Sequence, residues 1–96
     1  MKLLAFDAST EFLSIALQIN EQLESVDIQA GQTASQLILP QIQLLLDKAR
    51  LNLSDLDGIA FGAGPGSFTG VRIACGVAQG LAFGANLPVV GINVLI

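Results

Sequence analysis

Histidine, tryptophan and tyrosine are absent from this 96-residue sequence, and cysteine occurs once, at Cys75. With no His and a single thiol, the chain cannot build a Cys/His zinc cluster, a Ser-His or Cys-His dyad, or an internal disulfide. Charge is scarce too: Asp, Glu, Lys and Arg make up 12% of the residues, against about 25% in an average soluble domain. Four bases stand against eight acids, giving a net charge of −4 and a pI near 4.2. No basic surface is available to neutralise a phosphate backbone, so nucleic-acid binding by this chain alone is not expected. The amino terminus has one Lys and an apolar stretch ended by Asp7. That is too short for the apolar region of a signal peptide, so a cytoplasmic address is the default.

What is abundant is apolar side chain, at 52% of residues. A single domain of this size buries roughly 60 to 65% of its unfolded surface, and two domains would not fit. No charge appears after Arg72, and the stretch from there to Ile96 has the length of a bilayer span. Gln79, Asn86, Pro88 and Asn93 interrupt it, and the break at Asn86-Leu87-Pro88 divides it into a helix and a short strand-like run. The sequence therefore speaks against a membrane span.

Lys2 to Phe6 is a nearly continuous apolar run, as in a buried strand. Asp7-Ala8-Ser9-Thr10 reads as a turn, and Leu13, Ile15, Leu17 and Ile19 then alternate with polar or small residues in a half-buried strand. After Asn20-Glu21, a more polar strand through Val26 and Ile28 suits a sheet edge. A helix is expected from about Thr33 or Ser35, either able to cap it, to Arg50 in its last turn. Its apolar residues surround nearly the whole cylinder, and Pro40 should bend it. Ser54 to Asp57 reads as a short turn with a capping box before a buried strand, Gly58 to Phe61. A glycine-rich turn, a long helix to about Ala85 and a strand from Val89 complete an α/β pattern with a mixed sheet. The apolar ending Gly91 to Ile96, with no cap or charge, reads as a fragment.

Three segments could carry chemistry. The run Gly62-Ala63-Gly64-Pro65-Gly66-Ser67-Phe68-Thr69-Gly70 lies between strand and helix, where free N–H groups and the helix dipole favour an anion. It lacks the third glycine of a dinucleotide fingerprint, the Lys of a P-loop and the glycines of a nucleophile elbow. Gly64, Gly66, Ser67 and Thr69 are thus candidates for anion binding, with a tight turn capped by Ser67 as the equal alternative. Asp7, Ser9 and Thr10 could meet a metal or phosphate, or simply form a turn with an Asx cap. Arg72, early in its helix, needs an anionic partner: a ligand, an acid of another chain, or Asp7 or Asp57. Gly76, Gly80 and Gly84 form a stripe at spacing four, which suits close backbone approach to the first helix or to a partner. Cys75 beside them reads as a small core residue.

The segment from Gly62 to Ile73, followed by Gly76-Val77-Ala78-Gln79-Gly80-Leu81-Ala82, resembles the signature of the bacterial TsaB (YeaZ) family. Leu4 to Thr10 and the Leu39-Pro40 helix also match, so the resemblance covers essentially the whole sequence. It implies a ribonuclease-H-like lobe of the actin, Hsp70 and sugar-kinase type, built from three antiparallel strands and then strands alternating with helices. Residues 1–96 would be that single lobe, with a second one downstream. It implies a non-catalytic subunit in synthesis of threonylcarbamoyladenosine on tRNA, with no catalytic residue, metal or cofactor of its own. Its partners would be a homologous TsaD-like catalytic subunit and a TsaE-like ATPase, or a second copy in isolation. The first two helices would form the interface, here through Leu37, Leu44, Arg72, Gly76, Gly80 and Gly84. Many members have a His shortly before the Leu-Pro, where this sequence has Gln32 to Gln36. The competing readings are a nucleotide-dependent phosphotransferase of the same fold, which needs a second lobe and more acids, and a membrane-inserted protein.

Overall fold

The structure, a computed structural model, describes residues 1–64 and 66–93 of the chain. Pro65 and Val94 to Ile96, which the sequence reading includes in the glycine-rich turn and the final apolar run, lie outside the described residues. Five strands form one sheet: β1 (Lys2–Asp7), β2 (Phe12–Ile19), β3 (Gln22–Gln29), β4 (Gly58–Gly64) and β5 (Val89–Asn93), in the order β3-β2-β1-β4-β5. The first three pair antiparallel, and β4 and β5 join parallel to β1 and to each other. Helix α1 (Ala34–Ala49) leads from β3 towards β4, and α2 (Phe68–Ala85) leads from β4 to β5. This is the expected α/β lobe with a mixed sheet.

The alternation in β2 decides which way the sheet faces. Leu13, Ile15 and Leu17 are buried and lie level with Leu4 and Phe6 of β1, since Leu4 pairs with Leu17 and Phe6 with Ile15. Ile59 continues this row on β4. The same core contains Ile38, Ile42, Leu45 and Leu46 of α1 and Ala74, Ala78 and Ala82 of α2. Each fully buried Leu or Ile stabilises by about 1.5–3 kcal/mol. The alanine row lets α2 lie close over β4.

The opposite sheet face carries smaller side chains. Ala5, Ala16 and Ala60 sit side by side there, flanked by Asp7, Asp27 and Ile92, and line a shallow hollow of about 320 Å3.

Local chemistry sets the ends of the elements, with some departures from the sequence reading. Thr33 stands at the N-cap of α1, yet its hydroxyl donates backwards to the Ala30 carbonyl at 2.6 Å instead of capping the helix. A 3-10 turn at Gly31–Thr33 leads into α1, which makes a side-chain cap dispensable there. Arg50 lies just beyond the last turn as a left-handed cap (φ 57°), with its N–H donating to the Asp47 and Leu46 carbonyls. The capping arrangement before β4 starts at Asn52, whose N–H donates to Asp55 Oδ2 at 2.8 Å, two residues earlier than the Ser54 the sequence suggested. Helix α2 ends at left-handed Asn86, and the Leu87 N–H reaches back to the Ala82 carbonyl at 2.8 Å. That six-to-one bond places the break where the sequence puts it.

Helix α2 has 18 residues and a mean hydropathy of 1.2, long and apolar enough to cross a bilayer by those measures alone. In this fold its alanine row is packed on the sheet.

Candidate functional site

The two loop segments that look separate in the sequence form one junction. Parallel pairing of β1 with β4 brings Asp7 and the end of β4 to the same end of the sheet, beside the start of α2. There the Ser67 N–H donates to the Ser9 carbonyl at 2.6 Å. Thr10, Ser67, Thr69 and Gly70 line a common hollow of about 540 Å3 with Gly31 and Gln32.

The glycines explain how the loop can lie so close to the turn. A Cβ on Gly62 would stand 2.6 Å from the Asp7 carboxyl carbon, and one on Gly66 would stand 2.5 Å from the Ser9 carbonyl oxygen. A Cβ on Gly70 would overlap the Ala8 carbonyl oxygen. Each of three glycines at spacing four therefore meets one residue of the turn Asp7 to Ser9. Gly64, by contrast, needs its glycine for backbone conformation, with φ at 109°. The pairing between β4 and β5 also slips between Gly62 and Gly64, which releases the strand towards α2.

The polar groups at the junction are used mainly on each other. Asp7 Oδ1 accepts the Ser9 N–H at 2.7 Å, the Asx turn weighed from the sequence. Ser67 occupies the N-cap of α2, and its Oγ accepts the Gly70 N–H at 3.3 Å. The Thr10 hydroxyl accepts from the Phe12 N–H at 3.1 Å. Ser9 is only 3% exposed, and its Oγ is buried without a hydrogen-bond partner among the described residues.

Arg72 finds a different neighbour from those weighed in the sequence. Its guanidinium lies 5.5 Å from the centroid of the Phe68 ring, one turn back along α2. Asp7 is engaged by the Ser9 N–H, and Asp57 Oδ2 accepts the Lys2 N–H at 2.6 Å. The stacking partner was legible as an aromatic four residues before Arg72, a spacing that places two side chains on one helix face.

The glycine stripe is open. Among the described residues, a Cβ on Gly76, Gly80 or Gly84 would meet nothing within 4 Å, so these residues do not serve contact with α1. Between the two helices, Leu81 lines a groove of about 200 Å3 together with Leu39, Ile42 and Leu46. Leu44 is 55% exposed and Phe83 is 91% exposed, whereas Leu37 is partly buried against the core. Sequence reasoning missed Phe83 and Phe68; each stands four residues from a polar residue of α2, Gln79 or Arg72, and that spacing was the available signal that they share its outer face. Cys75 is half-buried and free.

The sheet order and helix placement are those of a ribonuclease-H-like lobe. A Thermus thermophilus RuvC structure superposes with a TM-score of 0.59 over 97% of this chain and 64% of that one, at 15% identity, which speaks for the fold alone. A family model described as TsaD, tRNA N6-adenosine threonylcarbamoyltransferase, matches residues 25–96. The tRNA threonylcarbamoyladenosine biosynthesis protein TsaB of Haemophilus influenzae is 48% identical over 93 residues, covering 97% of this chain and 39% of that protein. The structure titled YeaZ from Pseudomonas aeruginosa superposes with a TM-score of 0.92 at 48% identity, covering 96% of this chain and 43% of that one. The chain belongs to the TsaB (YeaZ) family of tRNA threonylcarbamoyladenosine biosynthesis proteins. It spans about two fifths of the length of the curated TsaB proteins it matches.

Proposed function

We propose that this chain is the docking lobe of a non-catalytic, cytoplasmic subunit that supports a homologous TsaD-like catalytic subunit in threonylcarbamoyl transfer to tRNA adenosine. A TsaE-like ATPase would join the assembly, and a second copy of the lobe would occupy the same face in isolation. A second lobe would follow this one in the whole subunit. The observation that carries the reading is the outer face of α2, where Gly76, Gly80 and Gly84 leave the backbone bare beside exposed Phe83. Glycine in a helix costs about 0.8–1 kcal/mol each relative to Ala. Three in register on an otherwise uncovered face fit a helix of another chain lying directly on this backbone. Leu44 of α1 adds exposed apolar area of the kind an interface buries.

The Asp7 turn and the Gly62 to Gly70 loop have a supporting part in this reading. They fix the start of α2 against β1 and so hold the docking helix in place. Isothermal titration of the catalytic partner into wild type and Gly80→Leu tests the proposal. The Leu variant should fold normally and lose measurable binding; unchanged affinity in the folded variant overturns the assignment of this face.

A further inference from the structure

The far edge of the sheet from β5 is unusually bare. β3 runs for eight residues, longer than the usual five or six. It pairs with β2 without a register break from Gln22 to Gln29. Gln22 to Ser25, Asp27 and Gln29 are exposed, and Leu23 is 65% exposed. In an antiparallel edge strand, alternate residues turn their N–H and C=O groups away from the neighbouring strand. Among the described residues, no hydrogen bond outside the β2 ladder involves Gln22 to Gln29.

Most devices that protect such an edge are missing. β3 has no Pro, no Lys and no bulge. What it has is charge of one sign: Glu21, Glu24 and Asp27 lie in or next to the strand, and no Lys or Arg occurs between Lys2 and Lys48. Antiparallel pairing of β3 with β3 of a second copy would bring these acids together with no base to offset them. A strand of opposite charge meets the reverse situation. We propose that β3 is a docking edge that accepts a basic, extended peptide segment of another protein as a sixth strand.

The geometry specifies the segment further. Glu24 and Asp27 are an odd number of residues apart, so they project on opposite sheet faces. Two Lys or Arg residues three apart in the incoming strand would each stand opposite one acid, and an apolar residue could cover Leu23. Backbone bonds would supply attachment, and the charges would supply selectivity and register.

The test uses the isotopically labelled 96-residue chain and a ten-residue Val/Thr peptide with two Lys residues three apart. Addition of the peptide should slow hydrogen exchange at the outward-facing amides of β3 by at least tenfold. Glu24→Lys combined with Asp27→Lys should weaken binding at least tenfold while leaving the dispersed spectrum of a folded chain. A peptide with Glu in place of Lys should not bind. Salt-sensitive binding without protection of β3 would overturn the proposal, as would equal affinity for the charge-reversed variant. Concentration-dependent protection of β3 without peptide would overturn it in favour of self-pairing.

Discussion

A Cβ on Gly62 would stand 2.6 Å from the carboxyl carbon of Asp7, so β4 passes the end of β1 at this distance only because residue 62 has no side chain. The Asp7 carboxylate is held in turn by the Ser9 N–H. Gly62→Ala must push the carboxylate off that bond or move a strand, at a cost of about 1–3 kcal/mol. If the clash is with the carboxylate, the combination Gly62→Ala with Asp7→Ala will be less destabilised than the sum of the single variants by at least about 0.5 kcal/mol. Urea unfolding of the four proteins measures this. Simple additivity would locate the strain elsewhere.

Gly70 presents a harder limit, because its neighbour is backbone. A Cβ there would overlap the Ala8 carbonyl, which cannot swing aside as a side chain can. Gly70→Ala should destabilise by about 3 kcal/mol or leave the chain unfolded. Circular dichroism and the denaturation midpoint read the outcome. A midpoint within error of wild type would mean that α2 does not lie against the turn as described.

For Arg72, two effects oppose each other. The guanidinium over Phe68 contributes about 0.5–1 kcal/mol at an exposed site. A cation in the first turns of a helix costs about 0.3–1 kcal/mol against the dipole. Arg72→Ala should therefore change stability by no more than about 0.5 kcal/mol, read from thermal unfolding. A loss above about 1.5 kcal/mol would require a buried anionic partner. A folded, equally stable variant that loses partner affinity would place Arg72 at the interface.

The order of strands and helices was legible in the sequence because each segment stated its period clearly. The alternation of Leu13, Ile15, Leu17 and Ile19 fixed both β2 and its buried face, whereas the all-round apolar pattern of α1 did not show which side is covered, since Ile38, Ile42, Leu45 and Leu46 are buried and Leu39 and Leu44 are exposed. Caps were less legible. Thr33 has the right side chain for capping α1, but the 3-10 turn places the Ala30 carbonyl within its reach. The glycines show the limit most clearly. Gly62, Gly66 and Gly70 face a turn more than fifty residues earlier, a contact that only the parallel β1-β4 pairing creates. Gly76, Gly80 and Gly84 repeat the same spacing with nothing opposite them among the described residues. Spacing alone could not distinguish the two sets.

The Asp7 turn bears on the rival phosphotransferase reading. Phosphoryl transfer needs metal-holding carboxylates, clamps on the phosphates and a wall that excludes water. The purified chain should therefore give no ATP turnover with magnesium present. Turnover that disappears in Asp7→Ala would favour the phosphotransferase, while weak anion binding at the start of α2 is compatible with docking alone.

The open stripe allows a test in which stability and binding move in opposite directions. In an exposed helix interior, Ala is better than Gly by about 0.8–1 kcal/mol, and no neighbouring atom of the described residues opposes a methyl at Gly76, Gly80 or Gly84. Each Gly→Ala variant should therefore raise the stability of the isolated chain by up to about 1 kcal/mol, with the three effects nearly additive. In complex with a partner helix, the same methyl groups would occupy the space that close approach requires. The triple variant should unfold at higher denaturant than wild type and bind the partner more weakly. Gain in stability without loss of affinity would mean that these glycines lie outside the interface. Loss of stability would mean that something already covers the stripe within this chain.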